Sequence, residues 1–235
     1  MKRCLILALG LLGCSEEVES TDIRTSGIYP EFTVTASGDG TSDVEVRLKV
    51  GGSNSNTLLE LRGDDTLEVT AEGETKTLEG RSGNRYTASF DVDAGGTEFI
   101  FAFLRGDQDD SAPMSTVRLP EPFEMEVTST EVVRTVDAVE FTWEPDGDGD
   151  MEFEVQGDCF FFETGETPDD GSHSVSADDL VGPGEDDGEE CTGTVDLARG
   201  QSGSIDDAFT EGGRIRAYQV RRDTFRSLPP PAEDE

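Results

Sequence analysis

The sequence holds one histidine, one tryptophan and four cysteines, and 18 basic side chains against 53 acidic ones. Lysine is scarce: only Lys2, Lys49 and Lys76 occur, and the remaining basic residues are all arginine. Each shortage excludes something. A single imidazole excludes sites built from several histidines and leaves one candidate base for a Ser–His arrangement. The net charge of −35 argues against nucleic acid as a partner, because phosphate contacts need a basic patch. It argues equally against charge-driven docking on an anionic membrane. No apolar run reaches the roughly 20 residues that span a bilayer. No G-x-S-x-G elbow, P-loop or dinucleotide fingerprint occurs. Apolar residues are only 33% of the chain, a low share that raises disorder as an alternative. Their arrangement argues against it, because they alternate with polar residues in short runs.

The N-terminus reads as an address. Met1-Lys2-Arg3 is a basic start, Leu5 to Leu12 an apolar core, and Leu11-Leu12-Gly13-Cys14 a small-residue box, followed by Ser15-Glu16-Glu17. That order is the order of a secretory signal. The box resembles the lipobox of bacterial lipoproteins, with Leu12 standing where Ala, Ser or Val is more usual. The resemblance implies that residues 1–13 are cleaved and that Cys14 carries a diacylglycerol on its thiol and an acyl chain on its new amine. Two or three chains anchor stably where one does not. The plainer alternative is an ordinary signal peptide with a chance cysteine. By the same resemblance, Ser15 rather than Asp after the cysteine points to the outer membrane of the cell envelope. Loss of Lys2 and Arg3 leaves 16 basic against 53 acidic side chains, a net charge of −37.

Cys4 leaves with the signal, so Cys159 and Cys191 remain as an even pair in an exported chain. A disulfide is the expected outcome. Closing a loop of about 30 residues stabilises by about 3–4 kcal/mol on the chain-entropy account. A two-cysteine metal site lacks partners.

Residues 14–27 are polar and acidic and read as a tether. Beyond them the period is 2, the mark of half-buried strands. Phe32, Val34 and Ala36 alternate with threonines; Val44, Val46, Leu48 and Val50 alternate with charges; Leu67, Val69 and Ala71 alternate with Glu68 and Thr70, and Tyr86, Ala88, Phe90 and Val92 with Thr87, Ser89 and Asp91. Phe99 to Leu104 is continuously apolar and reads as a strand buried on both faces. Gly- and Asp-rich clusters punctuate these runs. An all-β sandwich over residues 28–118 follows. Pro120 and Pro122 mark a stiff linker over residues 119–122. Alternation restarts at Phe123, Met125 and Val127 and continues through Val139-Phe141-Trp143, Met151-Phe153-Val155, Val195-Leu197 and Ile215-Ala217. This predicts a second sandwich over residues 123–228 and an acidic, proline-rich tail over 229–235.

Leu119-Pro120-Glu121-Pro122-Phe123, leading to Ala138-Val139-Glu140-Phe141-Thr142-Trp143-Glu144-Pro145, resembles the opening strands of a fibronectin type III domain. That resemblance implies a Trp-bearing second core strand in an Ig-like sandwich. The family's later tyrosine-bearing strand has only Ile215 to Val220 as a counterpart, and its members lack the cysteine pair. The whole layout is also similar to lipoproteins of myxobacteria-like bacteria, a likeness that implies no activity.

Asp146-Gly147-Asp148-Gly149-Asp150 is the sharpest local motif. Alternating Asp residues can aim oxygens at one Ca²⁺. An EF-hand loop would continue with Gly and close with Glu, and here those positions are Met151 and Gly157. The expected structure is a hairpin turn between Val139–Trp143 and Met151–Val155, with a low-affinity Ca²⁺ site at Asp146, Asp148 and Asp150 as the alternative and no other cofactor. Further acidic clusters at 107–110, 169–170 and 185–190 read as solvated loops. His173 reads as an edge-strand side chain. Trp143 reads as second-core, with Phe160, Phe161 and Phe162 either packing beside Cys159 or forming an aromatic platform. Arg214, Arg216, Arg221, Arg222 and Arg226 read as a strand face paired with Glu and Asp. An anion-binding surface is the alternative.

These residues point to a lipid-anchored, non-catalytic envelope protein whose β modules space or bind something, a protein or a glycan. The alternatives are a Ca²⁺-dependent adhesion or assembly module and, more remotely, a carboxylate-dependent hydrolase.

Overall fold

The computed structural model describes residues 17–81, 84–106, 110–146, 149–182 and 188–230. Cys14 and Asp148 lie outside them, as do parts of the acidic clusters at 107–110 and 185–190. In chain order the strands of the first half are β1 (Glu17–Glu19), β2 (Ile28–Ala36), β3 (Ser42–Val50), β4 (Leu58–Glu60), β5 (Thr66–Ala71), β6 (Glu74–Thr77), β7 (Glu79–Arg81), β8 (Arg85–Phe90), β9 (Glu98–Leu104) and β10 (Ala112–Arg118). Those of the second half are β11 (Met125–Val127), β12 (Glu131–Val133), β13 (Val139–Trp143), β14 (Asp150–Gly157), β15 (Phe160–Pro168), β16 (Ser172–Val175), β17 (Cys191–Ser202) and β18 (Arg214–Leu228). Only short 3-10 turns interrupt them, and no helix among the described residues is long and apolar enough to cross a membrane.

The chain folds as two β-sandwiches with one wiring. In the first, β2, β3 and β8 form one sheet while β6, β5, β9 and β10 form the facing one. In the second, β11, β13 and β16 form one sheet while β15, β14, β17 and β18 lie side by side in the other. Taking seven principal strands in each, the first, second and fifth share a sheet, and the facing order is fourth, third, sixth, seventh. This is the two-sheet, Ig-like class of sandwich. Alternation builds both cores. Phe32, Val34, Val44, Val46, Leu67, Val69, Phe99, Phe101 and Phe103 are all essentially sealed in the first, and Val139, Phe141, Met151, Val155, Val195 and Leu197 in the second. The β5–β6 hairpin turns through Glu72 and Gly73, both at positive φ (49° and 81°), the two-residue geometry that matches strand twist.

Four expectations change. The run Phe99 to Leu104 buries only its odd-numbered face; Ile100, Ala102 and Leu104 are half-buried on the outside. The Asp146–Asp150 segment is not a hairpin turn: β13 pairs with β11 and β16, whereas β14 pairs with β15 and β17, so the segment crosses between sheets. Residues 17–27 do not hang free. Strand β1 pairs in parallel with β4, and buried Arg105 donates to Ser20 O and Ile23 O at 3.0 Å each. Ile215 and Ala217 belong to the first core, not the second.

That last point sets the architecture. Strands β17 and β18 pair over twelve residues, from Cys191 opposite Ser227 to Ser202 opposite Arg216. The early half of β18, Arg214–Gln219, also pairs in parallel with Glu31–Ala36 of β2. One sheet therefore runs unbroken through both sandwiches. The turn joining β17 to β18 closes the first one. Ser204 exchanges backbone hydrogen bonds with Thr116 of β10 at 2.8 Å in both directions. Gly203 passes so close that a Cβ would stand 2.0 Å from Thr116 O. Phe209 is buried against Phe32 and Phe103, with ring centroids 6.3 and 6.2 Å away.

Candidate functional site

Three places gather unusual side chains: the junction between the sandwiches, the outer face of the shared sheet, and the far tip beside the disulfide.

At the junction, β18 turns its odd-numbered side chains inward and these change character with position. Ile215 and Ala217 fill the first core, Gln219 and Arg221 the junction, and Phe225 the second core. Gln219 is fully buried and donates Nε2 to Asp93 O at 2.7 Å. Arg221 donates Nε to Phe123 O at 2.7 Å. It also lies against Gly38, where a Cβ would come 2.9 Å from its Cζ. Phe123 has two guanidinium groups over its ring, Arg199 at 4.8 Å and Arg221 at 5.3 Å. Arg199 also donates to Glu121 O at 3.1 Å and Glu144 O at 2.8 Å, and forms a 2.7 Å ion pair with Asp169. Trp143 Nε1 donates to the same carboxylate at 2.7 Å. Asp169, expected in a solvated loop, is thus a buried junction residue. Burial alone would raise its pKa. Hydrogen bonds from Arg199 and Trp143, the Arg199 charge and the Asp146 amide outweigh burial and hold it below the ordinary value.

On the outer face, Arg216, Arg222 and Arg226 are paired with carboxylates as expected, whereas exposed Arg214 is in no ion pair among the described residues and Arg221 faces the junction and donates to carbonyls. Arg216 reaches Glu152 at 2.6 Å, Arg222 reaches Asp196 at 2.6 and 2.7 Å, and Arg226 reaches Glu131 at 2.8 Å and Glu190 at 2.6 Å. Hydrogen bonds donated by these guanidiniums raise the pKa of all three, the largest being the one to Tyr218 Oη for Arg216, to Asp196 for Arg222 and to Glu190 for Arg226. Further along the sheet, Thr33, Thr35, Glu45 and Thr87 floor an open groove of about 830 Å³, walled by Lys76 and Arg81.

At the tip, Cys159 and Cys191 form the expected disulfide, with Cα atoms 5.8 Å apart. Arg134, itself buried, donates Nη1 to Cys159 Sγ at 2.8 Å and to Ser227 Oγ at 3.1 Å, and Nη2 to Glu189 O at 2.8 Å. Phe160 is buried and stacks on Phe225 at 6.1 Å, while Phe161 and Phe162 are exposed. Sequence reasoning missed both Arg134 and Arg199; for Arg199 the available signal was an arginine at an inward position of an alternating strand, and for Arg134 there was none.

The remaining candidates lie apart. Trp143 is buried on the second core strand of its sandwich. His173 sits on edge strand β16 against Phe141 and Phe153, with centroids 5.5 and 4.6 Å away. Burial lowers its pKa, and Asp170 partly opposes this. Asp146 and Asp150 are exposed at the junction end of the second sandwich. Among the described residues, no three His, Cys, Asp or Glu side chains gather as a metal site.

Fold and site together define a tandem Ig-like β-sandwich protein with a shared sheet. No family model matches the chain, and no curated protein matches it either. Among solved structures it is similar to a two fibronectin type-III domain segment from chicken tenascin, at 10% identity and a TM-score of 0.23, over 84% of this chain and 98% of that one.

Proposed function

We propose that this chain is a lipid-anchored, non-catalytic protein of the bacterial envelope, attached through Cys14 to the outer membrane and acting as a rigid post. The carrying observation is the β17–β18 hairpin, which belongs to both sandwiches. A flexible tandem would join its modules only through residues 119–122. Here a sheet, a buried polar junction and Phe209 in the first core couple them, so bending would break a ladder and open a core. The N-terminal attachment supports the same reading. With residues 17–27 docked on the first sandwich, only Ser15 and Glu16 separate Cys14 from the folded body. That is about 10 Å of reach at the extended-chain limit, so the post would stand close to its membrane.

On this reading the end that carries Glu17 would face the membrane. Glu17 lies level with Leu58, which pairs with Lys49 near the end of β3. From Ile28 along β2 to Glu31, then along β18 from Arg214 to Ser227, the path covers about 50 Å at strand rise. The disulfide tip lies at the other end.

Fractionation tests the anchor: Cys14→Ser should move the protein from membranes to the soluble fraction, and unchanged fractionation would remove the lipoprotein reading. Small-angle scattering tests the post. The soluble chain should give a maximum dimension that stays constant with temperature below melting and matches two sandwiches end to end. A broad distribution of dimensions would overturn rigidity.

A further inference from the structure

We propose that Phe161, Phe162 and Val181 form, at the far tip of the post, a docking point for an extended basic segment of a partner protein. The tip's remoteness from the membrane rests on the post reading above; the chemistry of the surface does not.

Five large apolar side chains are exposed among the described residues, and three of them, Phe161 at 60%, Phe162 at 69% and Val181 at 46%, fall at this one place. The Phe161 N–H donates to Val181 O at 2.9 Å, which fixes the two segments side by side. Strict alternation along β15 would turn one of two adjacent phenylalanines inward. Instead the register passes from Val155 opposite Glu163 to Gly157 opposite Phe160, so Phe161 and Phe162 together face Gln156. This extra residue is a β-bulge, a device that re-aims side chains and recurs where sheets meet ligands. Both rings are thereby turned out to water.

The platform beneath them is stiff. Cys159 is tied to Cys191, Arg134 holds the sulfur, and Phe160 is packed so closely over Gly157 that a Cβ there would meet the ring at 2.5 Å. Exposed rings on a fixed base bind with little ordering cost. Beside them Phe162, Asp158, Gln156 and Thr192 line a shallow depression of about 420 Å³.

Charge selects the occupant. Asp158 and Glu163 flank the rings in the chain, Asp178 and Asp179 precede Val181 by three and two residues, and none of the four is in an ion pair among the described residues. A phenyl face bordered by carboxylates suits an arginine or lysine, through cation–π attraction and a charge-assisted hydrogen bond. A second copy of the chain would bring the same carboxylates together, and an anionic bilayer would be repelled. A basic segment carrying aliphatic side chains meets both the rings and their rim.

The test uses the full mature chain made soluble by Cys14→Ser, so it does not depend on anchoring. A short extended peptide of alternating arginine and leucine is titrated at physiological salt, beside the same peptide with glutamate for arginine. Phosphatidylglycerol vesicles and sedimentation of the protein alone complete the set. The arginine peptide should bind, and Phe161→Ser/Phe162→Ser should weaken it at least about tenfold, as for a hot spot, with melting unchanged. Because that variant keeps every charge, equal binding by it would reduce the effect to general attraction and overturn the proposal. So would vesicle binding, or a dimer, that disappears in the variant while the peptide does not distinguish the two proteins.

Discussion

Asp169 and Arg199 form a buried bidentate pair, Nε to Oδ2 at 2.7 Å and Nη2 to Oδ1 at 3.0 Å, with the residues 4% and 6% exposed. Arg199 spends its other donors on the carbonyls of Glu121 and Glu144, so this pair ties the entry of the second sandwich to its interior. Removing one member strands the other charge in a dry site, which costs about 3–5 kcal/mol. Asp169→Asn and Arg199→Met should each lower stability to urea by roughly that amount. The double variant should lose less than the sum of the two. Strict additivity would show that the pair does not act as a unit.

Acid should weaken the fold in two steps. His173 has a folded pKa below its ordinary value of 6.5, through burial chiefly. Its contribution is therefore complete above 6.5 and is lost as the pH falls through that value towards the folded one. Asp169 has a folded pKa below 3.8, so its contribution persists above 3.8 and disappears as the pH falls further. Because acid also neutralises repelling surface carboxylates, both declines are read as differences between parent and variant in denaturant midpoints followed downward from neutral pH. His173→Gln should remove the upper one and Asp169→Asn the lower. A decline in the upper window that survives His173→Gln would assign it to another group.

Phe209 lies in the second half of the sequence and in the first core. Phe209→Ala should cost about 3–5 kcal/mol, as for a buried aromatic. The loss should appear first in the first sandwich: amides of β5 and β9 should lose hydrogen-exchange protection before those of β14 and β17. By the same logic residues 17–119 alone should not unfold cooperatively, because the chain that closes their core is missing. A stable isolated first sandwich would count against the shared-sheet account.

Strand character was legible because burial on one face leaves a period of 2, and Phe32, Val44, Val69, Phe101, Phe141 and Val155 all obey it. The disulfide was legible from the even cysteine pair that remains after a signal-like N-terminus is set aside. Trp143 fell where the resemblance put it. What could not be read was which core an alternating strand faces. Ile215 and Ala217 alternate as they would in either sandwich, and only the long-range pairing of β18 with β2 assigns them. Nor did sequence reveal that Asp169 is buried, since an Asp-Asp-Gly run is the usual composition of a solvated turn and its partner Arg199 is 30 residues away. The bulge at Phe161 and Phe162 was hidden for a related reason: an extra residue shows in register and leaves no mark in composition.

The Cys159–Cys191 link spans 32 residues, and on the chain-entropy account such a loop stabilises by about 3–4 kcal/mol. Cys159→Ser/Cys191→Ser should lower the melting temperature accordingly. Mobility on non-reducing and reducing gels should differ in the parent and coincide in the variant. Two titratable thiols in the native parent would refute the link.

Salt should stabilise this protein. Two electrostatic effects oppose each other. Added salt weakens surface ion pairs such as Arg222–Asp196 and Arg226–Glu131, but exposed pairs contribute little to stability. Salt also screens self-repulsion among 53 acidic side chains set against 18 basic ones. With so few cations, most carboxylates repel more than they attract, and repulsion acts over the whole surface until the screening length falls to about 3 Å near molar salt. The second effect therefore exceeds the first, and the melting temperature should climb steadily from dilute buffer to molar sodium chloride. Potassium and tetramethylammonium chlorides should give the same climb, since screening does not distinguish cations. A rise produced by millimolar calcium alone would instead assign a cation to the segment of Asp146 and Asp150, and a melting temperature that does not rise with salt would remove the repulsion account.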